Sequence, residues 1–195
     1  MCAQNLTLLT DLYELTMMQG YFETQENETV IFDMFFRENP NKGGYSIMAG
    51  LEQVIGYIKN LNFSYDDVDC LRGLGIFSED FLHYLSGFHF SGDIYAIPEG
   101  SVIFPREPLI KVVAPIMEAQ LVETAILTII NHQCLIATKA SRVVHAARGN
   151  GVMEFGLRRA QGPDAGLYGA RAAVIGGCIG TSNVLAGEMF DVPVL

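Results

Sequence analysis

Short apolar runs and helical periods alternate along residues 151–195. Three runs of apolar residues have the character of short strands, and the segments between them repeat apolar residues with the period of a helix. The predicted order is strand, helix, strand, helix and strand, over Val152–Phe155, Leu167–Ile175, Cys178–Ile179, Val184–Phe190 and Val192–Leu195. This alternation is typical of a parallel sheet or barrel flanked by helices, so we predict an α/β fold for this segment.

Residues 1–149 have longer helical periods and a separate group of strands. Helices are predicted after Asp11, over Ile47–Leu61, after Ser64, and over Glu79–Leu85, Met117–Ile130 and Gln133–Ala147. Strands are predicted over Glu28–Arg37, Asp93–Ile97, Ser101–Phe104 and Leu109–Ala114, the last three as a small antiparallel meander. We therefore expect an α+β amino-terminal domain over residues 1–149, and the boundary falls where long helices give way to the β/α alternation.

Local signals mark two of these helix starts. Asp11 with Glu14, and Ser64 with Asp67, have the spacing of capping boxes, and Gly20 is expected to end or loosen the first helix. At the other end of the chain, three strands are too few to close a β/α barrel. Residues 150–195 are therefore expected to be the truncated, incomplete beginning of a parallel sheet or barrel domain.

Two loops leave the carboxyl ends of the predicted parallel strands, where ligands of such folds bind. The loop Gly156–Gly166 carries the adjacent guanidinium groups of Arg158 and Arg159, which suit planar, bidentate binding of anions. The loop Gly180–Asn183 offers glycine, hydroxyls and an amide at a helix N-terminus. The pattern indicates a phosphate or carboxylate site, and the alternative is a solvated arginine pair on an ordinary loop.

Charge is distributed unevenly. The chain has a net charge of −10, which argues against a nucleic-acid partner. Residues 139–171 contain six basic and two acidic residues, a local balance of +4, which favours a small polyanionic ligand. No run of about 20 apolar residues predicts a membrane span. The four cysteines include no CxxC pair, the histidines lack metal-ligand spacing, and no signal peptide opens the chain, so a reduced cytoplasmic protein is expected.

Several motifs together resemble one family, the nicotinate phosphoribosyltransferases. They are Leu9–Thr16, Phe32–Arg37, Pro98–Gly100, Gln120–Thr124, Ala137–Thr138, Glu154–Asp164 and Ser182–Gly187. The resemblance extends from about Leu6 to Leu195. It implies an α/β amino-terminal domain followed by an irregular, TIM-like α/β barrel, of which residues 150–195 would be the first, truncated part. It also implies a homodimer whose subunits share their active sites.

The resemblance also implies an activity. The family joins nicotinate to the phosphoribosyl group of 5-phosphoribosyl 1-diphosphate, forming nicotinate mononucleotide and diphosphate for NAD biosynthesis by salvage. Turnover is coupled to ATP hydrolysis through a phosphorylated histidine, and Mg²⁺ accompanies the diphosphate. That histidine follows a Gly-Thr-x-x-His-type motif, which is expected beyond Leu195, so the catalytic residue is not assigned and this chain alone is expected to be incomplete.

Substrate-binding residues are implied by position in the motifs. Tyr13 matches a tyrosine that reaches across the dimer to the pyridine ring, and Phe155 resembles an aromatic residue on the other face of that ring. Arg158 and Arg159 match a basic pair near the substrate carboxylate and phosphate. Four further residues match the family. Glu154 and Leu157 fall at pocket positions, Asp164 lies in the loop motif, and Ser182 is a serine that bears on substrate choice.

Ser182 bears on which pyridine is used. The related nicotinamide enzyme has an acidic residue at this position, which accepts a hydrogen bond from an amide. A hydroxyl avoids repelling a carboxylate, so nicotinate is the expected substrate. A related nicotinamide or quinolinate phosphoribosyltransferase, and an inactive binding or dimerisation fragment, are the alternatives. The implied reaction requires positioning and charge neutralisation more than acid–base catalysis, which agrees with the lack of a Ser/His/Asp or paired-carboxylate signature.

Overall fold

The computed structural model describes residues 5–195, apart from the side chain of Asn41, and Cys2 lies outside this range. The α-helices are α1 (Leu12–Thr24), α2 (Leu51–Lys59), α3 (Tyr65–Gly73), α4 (Glu79–Ser86), α5 (Ile116–Leu121), α6 (Glu123–Ala146), α7 (Pro163–Ile175) and α8 (Val184–Phe190). The strands are β1 (Thr29–Met34), β2 (Ser46–Ile47), β3 (Asp93–Ala96), β4 (Val102–Ile103), β5 (Ile110–Pro115), β6 (Met153–Glu154) and β7 (Gly180–Thr181). This is a mixed α/β architecture, as predicted.

The chain divides into two compact units, each assembled from separate stretches of sequence. The first contains the described residues up to Asp33, with Glu52–Tyr95 and Ile110–Leu127. The second contains Met34–Leu51, Ala96–Leu109 and Thr128–Leu195. The sequence-based boundary between residues 149 and 150 stays a prediction.

The first unit has a three-stranded sheet in the order β1, β5, β3 and a core rich in aromatic residues. Phe81, Leu82 and Leu85 of α4 are fully buried, which explains the apolar face of this short helix. Phe81 packs against Phe22 of α1, with 5.8 Å between ring centroids. The predicted helix over Glu79–Leu85 is confirmed within one residue.

The two predicted capping boxes have different outcomes. The Ser64 hydroxyl accepts from the Asp67 amide at 3.2 Å, and the Asp67 carboxylate accepts from the Ser64 amide at 2.8 Å, so that box is confirmed. The box at Asp11 and Glu14 is wrong. Asp11 makes no side-chain cap, because the Glu14 carboxylate is buried and used by tertiary contacts. Of the two effects expected at Gly20, the ending of the helix is wrong, because α1 continues to Thr24.

The predicted antiparallel meander is wrong. Strand β4 pairs antiparallel with β2, with Ser46 opposite Ile103, whereas β3 and β5 join the sheet of β1. The turn Pro98–Gly100 directs the chain to β2, because the Gly100 amide donates to the Met48 carbonyl at 2.8 Å. Ile47, which was predicted to open a helix, therefore lies in a strand, and α2 begins at Leu51.

The predicted break between the two long helices is also misplaced. The chain turns at Val122 between α5 and α6, and α6 continues through the polar residues Asn131–Gln133. These residues remain helical because Gln133 is fully buried and bonded to Arg171. The stretch Ile116–Ala146 is long and apolar enough to cross a membrane by length and composition alone, but 56% of its 18-residue apolar window is buried inside the structure, so it is weak evidence for a membrane span.

The second unit contains the predicted strand–helix–strand alternation. Strands β6 and β7 pair in parallel, with Met153 opposite Gly180 and Glu154 opposite Thr181, and α7 connects them. A parallel bridge joins Thr181 to Val194 after α8. The predicted order and the parallel direction of the first two strands are therefore confirmed, although the second strand is Gly180–Thr181 rather than Cys178–Ile179. The third predicted strand, Val192–Leu195, is represented by the single bridge at Val194. Small buried residues, among them Ala137 and Ala172, let α6 and α7 approach closely in this unit.

An ion pair between Glu99 and Arg171 connects distant segments of the second unit. The guanidinium donates to both carboxylate oxygens, at 2.9 and 2.7 Å, in the bidentate geometry that strengthens such pairs. Oε1 of Glu99 also accepts from the amides of Gly50 and Leu51, at 2.6 and 3.0 Å. Burial alone raises the pKa of Glu99, but Arg171 and these two amides outweigh it and lower the pKa below its ordinary value.

We expect Arg171→Met to lower the free energy of unfolding by about 2–3 kcal/mol, because the mostly buried Glu99 carboxylate loses its cation. In a double-mutant cycle with Glu99→Gln, the combined loss should be clearly smaller than the sum of the single losses. The measurement is urea unfolding.

Arg72→Met is the matched control. Arg72 pairs with Glu79 at 2.9 Å, but the two side chains are 42% and 70% exposed, so water screens the pair and its loss should change the free energy of unfolding much less. A loss for Arg171→Met no larger than that for Arg72→Met would contradict the structural importance of the Glu99 pair.

Candidate functional site

The loop after β6 begins with a tight turn and ends at a helix. Phe155 and Gly156 follow the strand, a single 3₁₀ turn spans Leu157–Arg159, and α7 begins at Pro163. Gly162 occupies the N-cap position with φ of 110°, in a region that favours glycine. Pro163 suits the first turn because its missing N–H has no intrahelical acceptor there. The sequence Gly162-Pro163 therefore determines where the loop stops.

This loop borders an open pocket of about 420 Å³, lined by Phe155, Gly156, Arg158 and Arg159. The Phe155 ring is 57% exposed, so one aromatic face is available to a planar ligand. The structure thus brings together three of the predicted site residues, Phe155 and both arginines.

Both arginines are free to bind an anion. Arg158 and Arg159 are exposed, and no side-chain hydrogen bond or ion pair within residues 5–195 involves either guanidinium. The backbone, in contrast, is held in place: the Arg159 amide donates to the Gly156 carbonyl at 2.8 Å. Two unpaired guanidinium groups on an ordered turn suit a carboxylate or phosphate.

Glu154 and Ser182 lie side by side at the ends of the two parallel strands. The Ser182 amide donates to the Glu154 carbonyl at 3.1 Å. The Glu154 carboxylate accepts from the Thr181 hydroxyl at 2.6 Å and from the Gly156 amide. Asn183 caps α8 by accepting from the Ala186 amide at 3.2 Å. The loops that follow β6 and β7 are therefore joined by hydrogen bonds.

Two further predicted site residues, Leu157 and Asp164, are not among the residues that line this pocket. Leu157 packs over Gly166, where its Cδ1 would stand 2.6 Å from a Cβ atom, so this side chain fixes the loop against α7. Asp164 is exposed in the first turn of α7, where a negative charge is favourable. Its carboxylate makes no hydrogen bond or ion pair within the described part of the chain. Their predicted roles in substrate binding stay predictions.

Tyr13 belongs to the first unit, on α1, and its side chain is 49% exposed. Its hydroxyl lies 3.5 Å from Oε1 of the fully buried Glu14, which also accepts from the Thr124 hydroxyl at 2.9 Å. Desolvation, followed by the charges of Glu123, Glu14 and Asp11, raises the pKa of the Tyr13 phenol. The phenol therefore keeps its proton at neutral pH and remains a hydrogen-bond donor.

Part of the basic segment serves the fold. Arg171 pairs with Glu99, and Arg142 donates to the carbonyls of Pro40 and Tyr45 at 3.2 and 3.1 Å. The interpretation of the local +4 balance as ligand-directed is therefore wrong for these two residues. Sequence reasoning also missed Thr181, whose buried hydroxyl is central to the site; the run Gly180–Asn183 showed hydroxyls there but not which one is buried.

These features define a class of protein: a mixed α/β protein with a parallel β/α unit and a pocket lined by two arginines and an exposed aromatic ring. The sequence model of the nicotinate phosphoribosyltransferase (NAPRTase) N-terminal domain matches residues 8–131, more than half of the chain. The chain belongs to the nicotinate phosphoribosyltransferase family.

Curated relatives match more of the chain than the family model does. Nicotinate phosphoribosyltransferase pncB2 of Mycobacterium tuberculosis is 48% identical over 186 residues, which is 95% of this chain and 40% of that protein. Nicotinate phosphoribosyltransferase of Bacillus subtilis is 46% identical over 191 residues, 97% of this chain and 39% of that protein. The chain thus spans about two fifths of the length of these relatives.

Solved structures also match this chain along nearly its whole length. Human nicotinic acid phosphoribosyltransferase superposes with a TM-score of 0.88 at 35% identity, covering 95% of this chain and 38% of that one. A nicotinate-nucleotide pyrophosphorylase from Pyrococcus furiosus superposes with a TM-score of 0.79 at 25% identity, covering 100% of this chain and 43% of that one. The fold is therefore shared along nearly the whole chain.

The buried carboxyl of Glu14 predicts a pH dependence. Burial raises its pKa above the ordinary value of 4.5, although the hydroxyls of Thr10 and Thr124 oppose the shift. The folded chain thus holds a proton that the unfolded chain has released, so stability should fall as the pH rises from about 4.5 through the raised pKa. Glu14→Gln, which mimics the protonated form, should flatten this decline in thermal unfolding.

The exposed carboxylate of Glu23 on the same helix supplies the control. Glu23→Gln should leave the pH profile of the melting temperature unchanged. A wild-type profile that rises between pH 4.5 and 7, and that Glu14→Gln does not alter, would contradict the assignment.

Proposed function

We propose that the protein containing this chain is a nicotinate phosphoribosyltransferase of NAD salvage. It transfers the phosphoribosyl group of 5-phosphoribosyl 1-diphosphate to nicotinate and releases nicotinate mononucleotide and diphosphate. The observation that carries the proposal is the pocket lined by Phe155, Arg158 and Arg159, in a chain 48% identical to a protein named for this activity. As a class, the enzyme is an ATP-dependent glycosyltransferase.

The proposed roles follow from the chemistry of the side chains. The exposed Phe155 ring stacks on the flat pyridine, and Arg158 and Arg159 bind the anionic groups of the substrates. Displacement at the anomeric carbon builds positive charge on the sugar and negative charge on the departing diphosphate. Fixed guanidinium groups that bind these anionic groups lower the barrier without a proton transfer.

Residues 150–195 are proposed to form the first strands of the irregular α/β barrel. Support comes from the parallel pairing of β6 with β7, from the connecting helix α7, and from the further parallel bridge of Thr181 to Val194. Parallel strands joined through helices are the repeating unit of such barrels.

A homodimer is also proposed, with Tyr13 of one subunit reaching the site of its partner. Its support is the exposed apolar surface of α1, where Leu12 is 51% and Met17 is 41% exposed. A cytoplasmic location agrees with the free thiols of Cys70, Cys134 and Cys178. The net charge of −10 supports small molecules rather than nucleic acid as partners.

Mg²⁺ and ATP are proposed for the whole protein. Within residues 5–195, no group of three or more His, Cys, Asp or Glu side chains is placed to hold a metal ion. The described residues therefore do not form a dedicated metal site, and none of the roles above depends on one. Mg²⁺ bound to the diphosphate of the substrate fits this arrangement.

The test of the function is an assay of the protein produced from the complete coding sequence that contains this chain. With 5-phosphoribosyl 1-diphosphate, Mg²⁺ and ATP, we expect use of nicotinate, and at least about tenfold lower kcat/KM for nicotinamide and quinolinate. Arg158→Ala should lower kcat/KM for nicotinate about a hundredfold and leave the fold intact. Lys139→Ala, which removes an exposed charge outside the pocket, is the control.

Activity restricted to quinolinate or nicotinamide would assign the protein to one of the alternative activities. Failure to turn over any of the three pyridines would favour the binding or dimerisation role. An unchanged kcat/KM in Arg158→Ala would remove Arg158 from the site even if the activity is as proposed.

Ser182 is proposed to favour the acid over the amide. Ser182→Asp places a negative charge next to the carboxylate of nicotinate, so the ratio of kcat/KM for nicotinate over nicotinamide should fall at least about tenfold. Ser182→Asn introduces a side chain of the same size as aspartate but without its charge, and it should lower this ratio much less. Equal ratios for Ser182→Asp and wild type would show that this position does not select the base.

A further inference from the structure

Glu154 uses both of its carboxylate oxygens within the protein. Oε2 accepts from the Thr181 hydroxyl at 2.6 Å, and Oε1 accepts from the Gly156 amide. The same residue accepts from the Ser182 amide through its backbone carbonyl at 3.1 Å. One residue at the end of β6 thus contacts its own loop and the loop that follows β7.

Thr181 connects Glu154 to a further residue by hydrogen bonds. It is fully buried, and its hydroxyl, which donates to Glu154, accepts from the Asn183 amide at 3.0 Å. Asn183 caps α8 and donates to the Gly166 carbonyl of α7 at 3.3 Å. A continuous series of hydrogen bonds therefore links the Glu154 carboxylate to the first turns of both helices that follow the strands.

Gly156 makes the short approach to Glu154 feasible. A Cβ atom at this position would stand 2.8 Å from Oε1 of Glu154, so a larger residue would push this oxygen away from the amide. The residue lies between Phe155, which lines the pocket, and the turn that carries Arg158. Holding the Gly156 amide therefore orients both the aromatic ring and the guanidinium.

The hydrogen bonds of Glu154 also keep its carboxylate from pairing with the nearby arginines. A carboxylate four residues from Arg158 could neutralise it, but no ion pair in residues 5–195 includes Glu154. Neutral donors, a hydroxyl and a backbone amide, hold the carboxylate instead. The two arginines keep their charge for a ligand.

We propose that Glu154 is a positioning residue: it places Phe155 and Arg158 through its hydrogen bonds to Gly156 and Thr181 and does not itself contact the substrates. This inference rests on the proposed function for its kinetic consequences. It assigns to Glu154 a role different from the direct pocket contact that the family motif suggests.

The hydrogen bonds define informative variants. Glu154→Gln keeps the size of the side chain, but one oxygen cannot accept from both the Gly156 amide and the Thr181 hydroxyl. Thr181→Val keeps the shape and the Glu154 carboxylate but removes the hydroxyl, whereas Thr181→Ser retains it. Glu188→Gln removes an exposed carboxylate on α8 and controls for the change in net charge.

In the protein from the complete coding sequence, Glu154→Gln and Thr181→Val should each lower kcat/KM for nicotinate at least about tenfold, because a displaced turn misplaces the arginines. The double variant should be no worse than the poorer single variant, since both remove one interaction. Thr181→Ser and Glu188→Gln should remain close to wild type. Unaltered activity in Thr181→Val, or losses that multiply in the double variant, would overturn the proposal in favour of direct contact.

Hydrogen exchange supplies a readout that does not depend on activity. Peptides covering residues 153–157 should exchange faster in Glu154→Gln and in Thr181→Val than in wild type, and Glu188→Gln should have no effect. Unchanged exchange in both variants would overturn the positioning role. If no pyridine is turned over, the proposed function fails, while the exchange measurement still decides the role of Glu154.

Discussion

The bidentate pair of Glu99 with Arg171 is the interaction on which the second unit depends. It joins the turn at Pro98–Gly100 and the amides of Gly50 and Leu51 to helix α7. Helix α7 directly follows the turn that carries the pocket arginines, so its placement determines where they lie. A mostly buried ion pair adds little net stability but is costly to break, which makes it suited to fixing a single arrangement.

A second feature of the structure is which of its charged side chains have partners inside the protein. The chain is acidic overall, with a net charge of −10, yet it presents two unpaired guanidinium groups on one turn. Two carboxylates of the second unit are bound within the protein: Glu99 pairs with Arg171, and Glu154 accepts from a hydroxyl and an amide. Because a carboxylate that paired with either arginine would neutralise it, the internal hydrogen bonds of Glu154 support the anion site proposed above.

Fold and specificity have separate origins in this family. The structure superposes with a TM-score of 0.88 on the human nicotinic acid enzyme and 0.79 on a Pyrococcus furiosus nicotinate-nucleotide pyrophosphorylase. A shared framework does not by itself select one pyridine substrate over another, because the backbone is common to the proteins that have this fold. The proposed selection instead rests on side chains such as Ser182, whose backbone amide is held by the Glu154 carbonyl.

The sequence by itself determined features that depend on neighbouring residues: the Ser64 cap, the strand–helix order after residue 150, and the loop that presents Phe155 and Arg158. Tertiary structure alone decided the pairing of β4 with β2, the continuation of α1 past Gly20, and the partners of Glu14, Thr181 and Arg171. Arg171 and Glu99 are 72 residues apart, and a local pattern contains no record of such a contact. A polar residue looks the same in sequence whether it faces solvent or a buried partner, and only packing separates the two outcomes.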